Sequence, residues 1–450
     1  MKLAQPKSLL GQLQRGRGVG FIGCIELPRR RAHALVAKTL REDPWPNLYQ
    51  ETRAHYYAQL ILRTRFDIGH VGGILRGLSK RSVDPDYLID TLGALAKRGE
   101  GEAVEALKAH LATATAWGPA FKQLEAAGKK LLTGVETILE ARYPKDDDLF
   151  KQVGLMLYSP PEPWKVGIDP ESRLGRALSH AVQQTRRSRD RAAEFETMST
   201  EALLASVEGS TYSDIGRTLA ARRADADRLL EASHSGPIYR RLASVQALGK
   251  QKDPRTLEPA TALLDVEKHG RTPQIVAAFA LIDLPGDLVL PRARRWFRSH
   301  KPGHRYAGHT ILSLCATAED AALLGSELPA AHRQTDTDRL TDILEGLQRA
   351  GKGAPVARLR GVYAQTHSSY ARMLAVELLA RDDERFREMF AIECLWDCED
   401  RSRIAGIEHA PISAPGVRER LNEISADRFE ERHVRDAAGR RHAEQACTSR

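Results

Sequence analysis

Five short stretches in the second half of the chain decide the fold: Ser-Val-Gln-Ala-Leu-Gly at 244–249, Ala-Ala-Phe-Ala-Leu-Ile at 277–282, Ala-Gly-His-Thr-Ile-Leu at 307–312, Leu-Thr-Asp-Ile-Leu-Glu at 340–345 and Arg-Met-Leu-Ala-Val-Glu at 372–377. Each sets small residues among apolar ones, and their starts are 33, 30, 33 and 32 residues apart. The acidic residues Asp253, Asp287, Asp320 and Asp383 follow these cores on nearly the same beat, with Gly353 where a further acid would fall. A unit of about 30–35 residues holds two helices and cannot bury its apolar face alone, so it must stack on its neighbours.

Outward from these cores the chain reads as helix almost everywhere. Ala, Leu, Arg and Glu dominate, and alternating Val/Ile/Thr runs between Asn-Gly or Asp-Gly turns are missing. Ala32, Leu35, Val36, Thr39 and Leu40 form one stripe at helical spacing, and Tyr56, Leu60 and Ile61 form another. Asp43-Pro44, Asp84-Pro85, Asp253-Pro254 and Pro285-Gly286 punctuate these stripes, because proline lacks the helix donor and fixes its own backbone. The fold class predicted is all-α, an α-solenoid of stacked antiparallel helix pairs, with the repeat more degenerate in the N-terminal half.

On the period, the small residues of the cores and the turn acids, the chain resembles the HEAT-repeat and HEAT-like family of bacterial type over residues 236–425. The resemblance implies a curved array of helix pairs offering an extended surface to a partner. It rests on the repeat period rather than on a specific motif.

The predicted organisation is an N-terminal helical HEAT-like domain at 1–158, a Pro-rich connector at 159–170, a charged helical segment at 171–235, a HEAT-like repeat array at 236–427 and a charged tail at 428–450. Four prolines in 159–170 favour an extended connector open to proteolysis, and the last ten or so residues are expected to be disordered. At 450 residues, with 42% hydrophobic and 28% charged side chains, the chain has material for more than one core. It has no apolar run of about 18 residues and no signal-peptide pattern at Met1, so no membrane span is expected. Five scattered cysteines suit a reducing compartment, and a cytoplasmic location is predicted.

Motifs that carry catalysis are largely missing. Gly18, Gly20 and Gly23 form a Gly-x-Gly-x-x-Gly-like string without the strand that a dinucleotide site needs, and read as a glycine-rich turn. Cys394 and Cys398 stand four apart, with His409 downstream, a spacing that suits two buried small side chains better than zinc. No cofactor, metal ligand or catalytic residue is assigned, and the reading leans away from an enzyme.

The surface feature that stands out is basic. Arg292, Arg294, Arg295, Arg298, Lys301 and Arg305 occur with no acid between them, interleaved with Trp296, Phe297 and Tyr306, a pattern that suits phosphate contact with base stacking. The same pattern suits an amphipathic helix whose aromatics face inward and whose arginines are solvated. A second basic cluster contains Arg29, Arg30 and Arg31. With a formal charge of +9, these residues are the predicted binding surface for a protein partner first and a nucleic acid second. The function expected is a non-catalytic scaffold. The alternative is a DNA-binding enzyme similar to the HEAT-like bacterial alkylpurine DNA glycosylases, with Trp396-Asp397 as the nearest candidate pair.

Overall fold

A computed structural model describes residues 3–42, 53–79, 86–157, 159–333 and 336–448, and among these every regular element is a helix. Asp43-Pro44 and Asp84-Pro85 lie outside the described residues. The other two breaks stand where the sequence puts them. Asp253-Pro254 separates helices Ile238–Gln251 and Leu257–Leu264, and Pro285-Gly286 separates Thr272–Ile282 from Gly286–Trp296. None of the described helices is long and apolar enough to cross a membrane.

The turn acids act as caps. Asp253 accepts from the Arg255 amide at 3.0 Å, Asp320 from the Thr317 amide at 2.9 Å and Asp383 from the Arg385 amide at 3.0 Å, each satisfying a donor that the helix cannot. Asp320 and Asp383 also take an arginine from the preceding helix pair, Arg294 at 2.7 Å and Arg360 at 2.6 Å. The Arg360 hydrogen bond holds the Asp383 carboxyl below its ordinary range.

The chain divides into two compact units, Met1–Thr185 with Arg360–Arg450, and Arg186–Leu359. In the second unit Ile238–Gln251, Thr272–Ile282, Pro302–Cys315 and Thr337–Ala350 each pack on the next in turn, and these helices carry four of the five repeated cores. Leu257–Leu264, Gly286–Trp296 and Ala321–Arg333 connect them, each packing on the core helix that follows. Small residues set the spacing. A Cβ on Gly249 would lie 2.7 Å from the Ala280 Cα, so one core seats on the next only because both positions are small.

The first unit joins the N-terminal helices to the last part of the chain. Arg53–Thr64 packs on Asp86–Lys97 and that helix on Gly118–Ala127, while the fifth core helix, Ser369–Asp382, packs on Asp400–His409. Residues 159–170 belong to this unit. They contain a short helix, Pro163–Val166, with Val166 and Ile168 buried, because the prolines fall at its first turn and beyond it rather than in its interior. The charged stretch after 428 forms a helix, Arg432–Thr448, that buries Val434 and Ala438 against Val417–Ala426 and Asp400–His409. A few apolar residues at helical spacing are enough to dock it, although its composition reads as a tail.

Candidate functional site

Arg292, Arg294, Arg295 and Trp296 lie on Gly286–Trp296, Arg298 follows it, Lys301 caps the next helix and Arg305 sits in that helix's first turn. Phe297 is buried, while Trp296 is half-buried and meets His304 edge-on at 5.3 Å. The absence of acids is a property of the linear stretch only. Arg294 pairs with Asp320 and with Glu319 at 3.1 Å, Arg298 with Glu327 at 3.3 Å, and Lys301 with Asp265 at 2.9 Å. Arg292 donates to the Leu288 carbonyl at 3.0 Å. Arg295 and Arg305 are exposed and make no ion pair among the described residues. Exposed pairs of this kind add little stability, but they cancel the field that a polyanion would feel. Arg29, Arg30 and Arg31 open the helix Arg29–Arg41 in the other unit, exposed at the helix end whose dipole disfavours cations.

The glycine string and the Trp396-Asp397 pair meet inside the first unit. Gly18 lies so close to residue 393 that a Cβ there would overlap the Glu393 carbonyl oxygen, and a Cβ on Gly16 would stand 2.5 Å from the Cys398 sulfur. The Cys398 amide donates to the Gly16 carbonyl at 3.0 Å. These glycines let the chain's beginning touch its last part, and Gly18 starts a helix with no strand before it.

Beside that seam lies a buried charge network. Arg372 is fully buried and holds Asp397 through two hydrogen bonds of 2.9 and 3.0 Å. Arg17 grips Glu393 with two of 3.0 and 3.2 Å and lies over the Tyr363 ring. Arg403 reaches Glu430 at 2.8 Å, and Ser369 donates to Glu399. Burial, with Arg372, Arg53 and Arg17 close by, lowers Arg15 to about 10. Trp396 stacks on Phe21 at 5.0 Å and under Arg420 at 3.7 Å. Asp397 and Trp396 are therefore held by protein groups, and Asp397 has no face open to a substrate. Cys394 and Cys398 are buried free thiols in the same seam, and His409 packs edge-on against Phe386.

The second unit carries a surface that the linear reading assigns to the core. On Thr272–Ile282 the residues Ile275 and Phe279, one helical turn apart, are 39% and 51% exposed. Two helices on, Asp338, Asp342 and Glu345 form the outward stripe of Thr337–Ala350. Tyr306, on the helix between, is half-buried and its hydroxyl responds to Arg271, Asp342 and Asp338. Connecting helices cover the other side of all three, so these outward stripes lie on one face. The signal in the sequence is that 275–282 is apolar around the whole helix, which leaves apolar residues over when one side packs.

His309 lies behind this face, 5% exposed against Phe297, and neither ring nitrogen has a hydrogen-bond partner among the described residues. Burial, with Arg339 and Arg305 nearby, lowers it from 6.5 to about 3. Between those values the unfolded chain binds a proton that the folded one refuses, so the second unit is expected to lose roughly 1.4 kcal/mol per pH unit on acidification. His309→Phe should flatten that slope in urea unfolding at pH 7, 5.5 and 4. An unchanged slope would assign the acid sensitivity elsewhere.

Comparison of the chain with protein-family models, with curated proteins and with solved structures finds no match.

Proposed function

We propose that the protein is a non-catalytic binding scaffold, an α-solenoid of HEAT-like helix pairs that docks a protein partner on the outward face of its core helices. The observation that carries this reading is the exposure of Ile275 and Phe279. Leaving two large apolar side chains in water forgoes roughly 1.5–3 kcal/mol for each, a cost that burial against a partner removes. The stacking of successive core helices at a near-constant period supports it, since such stacks present long surfaces without needing a catalytic cleft. Protein is favoured over nucleic acid as the partner, because Arg294, Arg298 and Lys301 already hold carboxylates.

A photo-activated cross-linker placed at 279 is expected to capture a discrete protein from lysate of the native host, while the same group at exposed Asp287, on a connecting helix, captures none. Equal capture at both positions, or none at 279, would overturn this reading.

A further inference from the structure

The exposed apolar pair and the acidic stripe of the second unit lie on one face, and together they restrict what can sit there. Ile275 and Phe279 form an apolar seat about 6 Å long, one helical turn. Two helix spacings away, roughly 16–20 Å, stand Asp338, Asp342 and Glu345. Tyr306, between them, offers a ring with a polar edge. We propose that the occupant of this face is a polypeptide segment with an apolar anchor for Ile275 and Phe279 and a Lys/Arg cluster that reaches Asp338, Asp342 and Glu345. This rests on the scaffold reading above and adds the chemistry of the partner.

Charge complementarity decides the sign. Asp338 and Asp342 have no ion pair among the described residues, unlike the carboxylates at 265, 319, 320 and 327 of the same unit, each of which holds a cation. Burial first, and then Glu345, Asp338 and Asp336, raise the Asp342 carboxyl to about 7, which marks a negative field short of counter-charge. The nearest cations do not fill it. Arg349 donates to the Ser313 carbonyl at 3.0 Å, and Arg271 stands at the start of the apolar helix. An acidic peptide or a nucleic acid placed on the same face would meet like charge.

The test uses the full chain and two fluorescein-labelled 20-residue peptides that share a Leu/Phe anchor. One carries four arginines centred roughly 16–20 Å from the anchor, the span of two helix spacings, and the other four glutamates there. Anisotropy titration should show the arginine peptide binding at least tenfold more tightly, the preference shrinking as salt rises. Asp338→Asn with Asp342→Asn and Glu345→Gln should remove the preference, while Phe279→Ser should weaken both peptides. The asparagine and glutamine variant stays informative because these positions are outward and circular dichroism checks its helicity. Equal or reversed preference would overturn the charge assignment and leave the scaffold reading standing, provided the cross-linker at 279 still captures a protein. Failure of both peptides to bind while that cross-link forms would also overturn the proposal. Failure of the cross-link as well would remove the scaffold reading itself.

Discussion

Replacing Arg372 by alanine is expected to destabilise the first unit by about 3–5 kcal/mol, the usual cost of leaving one member of a buried ion pair alone. Arg372 is fully buried, both of its charge-assisted bonds go to Asp397, and a longer contact reaches the Gly16 carbonyl at 3.4 Å. Removing it strands the Asp397 carboxylate where water cannot replace the lost donors. Asp397→Ala should cost a similar amount, because it leaves the guanidinium near Arg53. The double replacement Arg372→Met with Asp397→Leu should be less damaging than either alanine variant, since it removes both charges while filling space. Urea unfolding checks this, with Trp396 as a reporter placed within the seam. Single variants within about 1 kcal/mol of the parent would mean that the pair stands in a wetter place than its burial says.

Gly18→Ala is expected to have the next largest effect, destabilising the same unit by about 1–3 kcal/mol or more. Helix propensity alone argues the other way, because alanine is better than glycine by about 1 kcal/mol inside a helix. Sterics win here, since the added methyl would overlap the Glu393 carbonyl oxygen and stand 2.8 Å from its carbon, and backbone cannot rotate away as a side chain can. Gly77→Ala is the control. It lies exposed within the helix Ile68–Ser79 with nothing within 4 Å of a would-be Cβ, and should stabilise by up to about 1 kcal/mol. Thermal scans of the two variants should move in opposite directions. A neutral Gly18→Ala would show that the seam can open at little cost.

The two variants probe one contact from two sides. Arg17, Arg53 and Arg372 bond to groups roughly 310–380 positions away in the chain, so the seam closes only when the late helices meet the early ones. Closing so long a loop is entropically costly, and a charge network that is satisfied in a single arrangement favours one register over its neighbours.

The helices were legible in the sequence because their causes are local. Residues 244–249 and 277–282 carry their small and apolar residues at helical spacing, Asp253 and Asp320 cap where they stand, and proline ends what it cannot continue. The repeat was legible for the same reason, since one period writes the same local pattern each time. The destination of each charge was not. Arg294 and Arg298 meet acids 26 and 29 positions away, a distance set by how one helix pair stacks on the next, so the run from 292 to 305 reads as bare cation while its structure is largely neutralised. Phe279 reads as core because its neighbours are core, and only the packing of the adjacent helices shows which side of Thr272–Ile282 stays uncovered. The sequence by itself determined that this chain is helical and built on a beat of about 32 residues, since hydrogen bonds and side-chain periodicity act within a few residues. Only the tertiary structure decided which charges cancel, which glycines are seams and which apolar residues face water, because those depend on groups that the chain brings together from far apart.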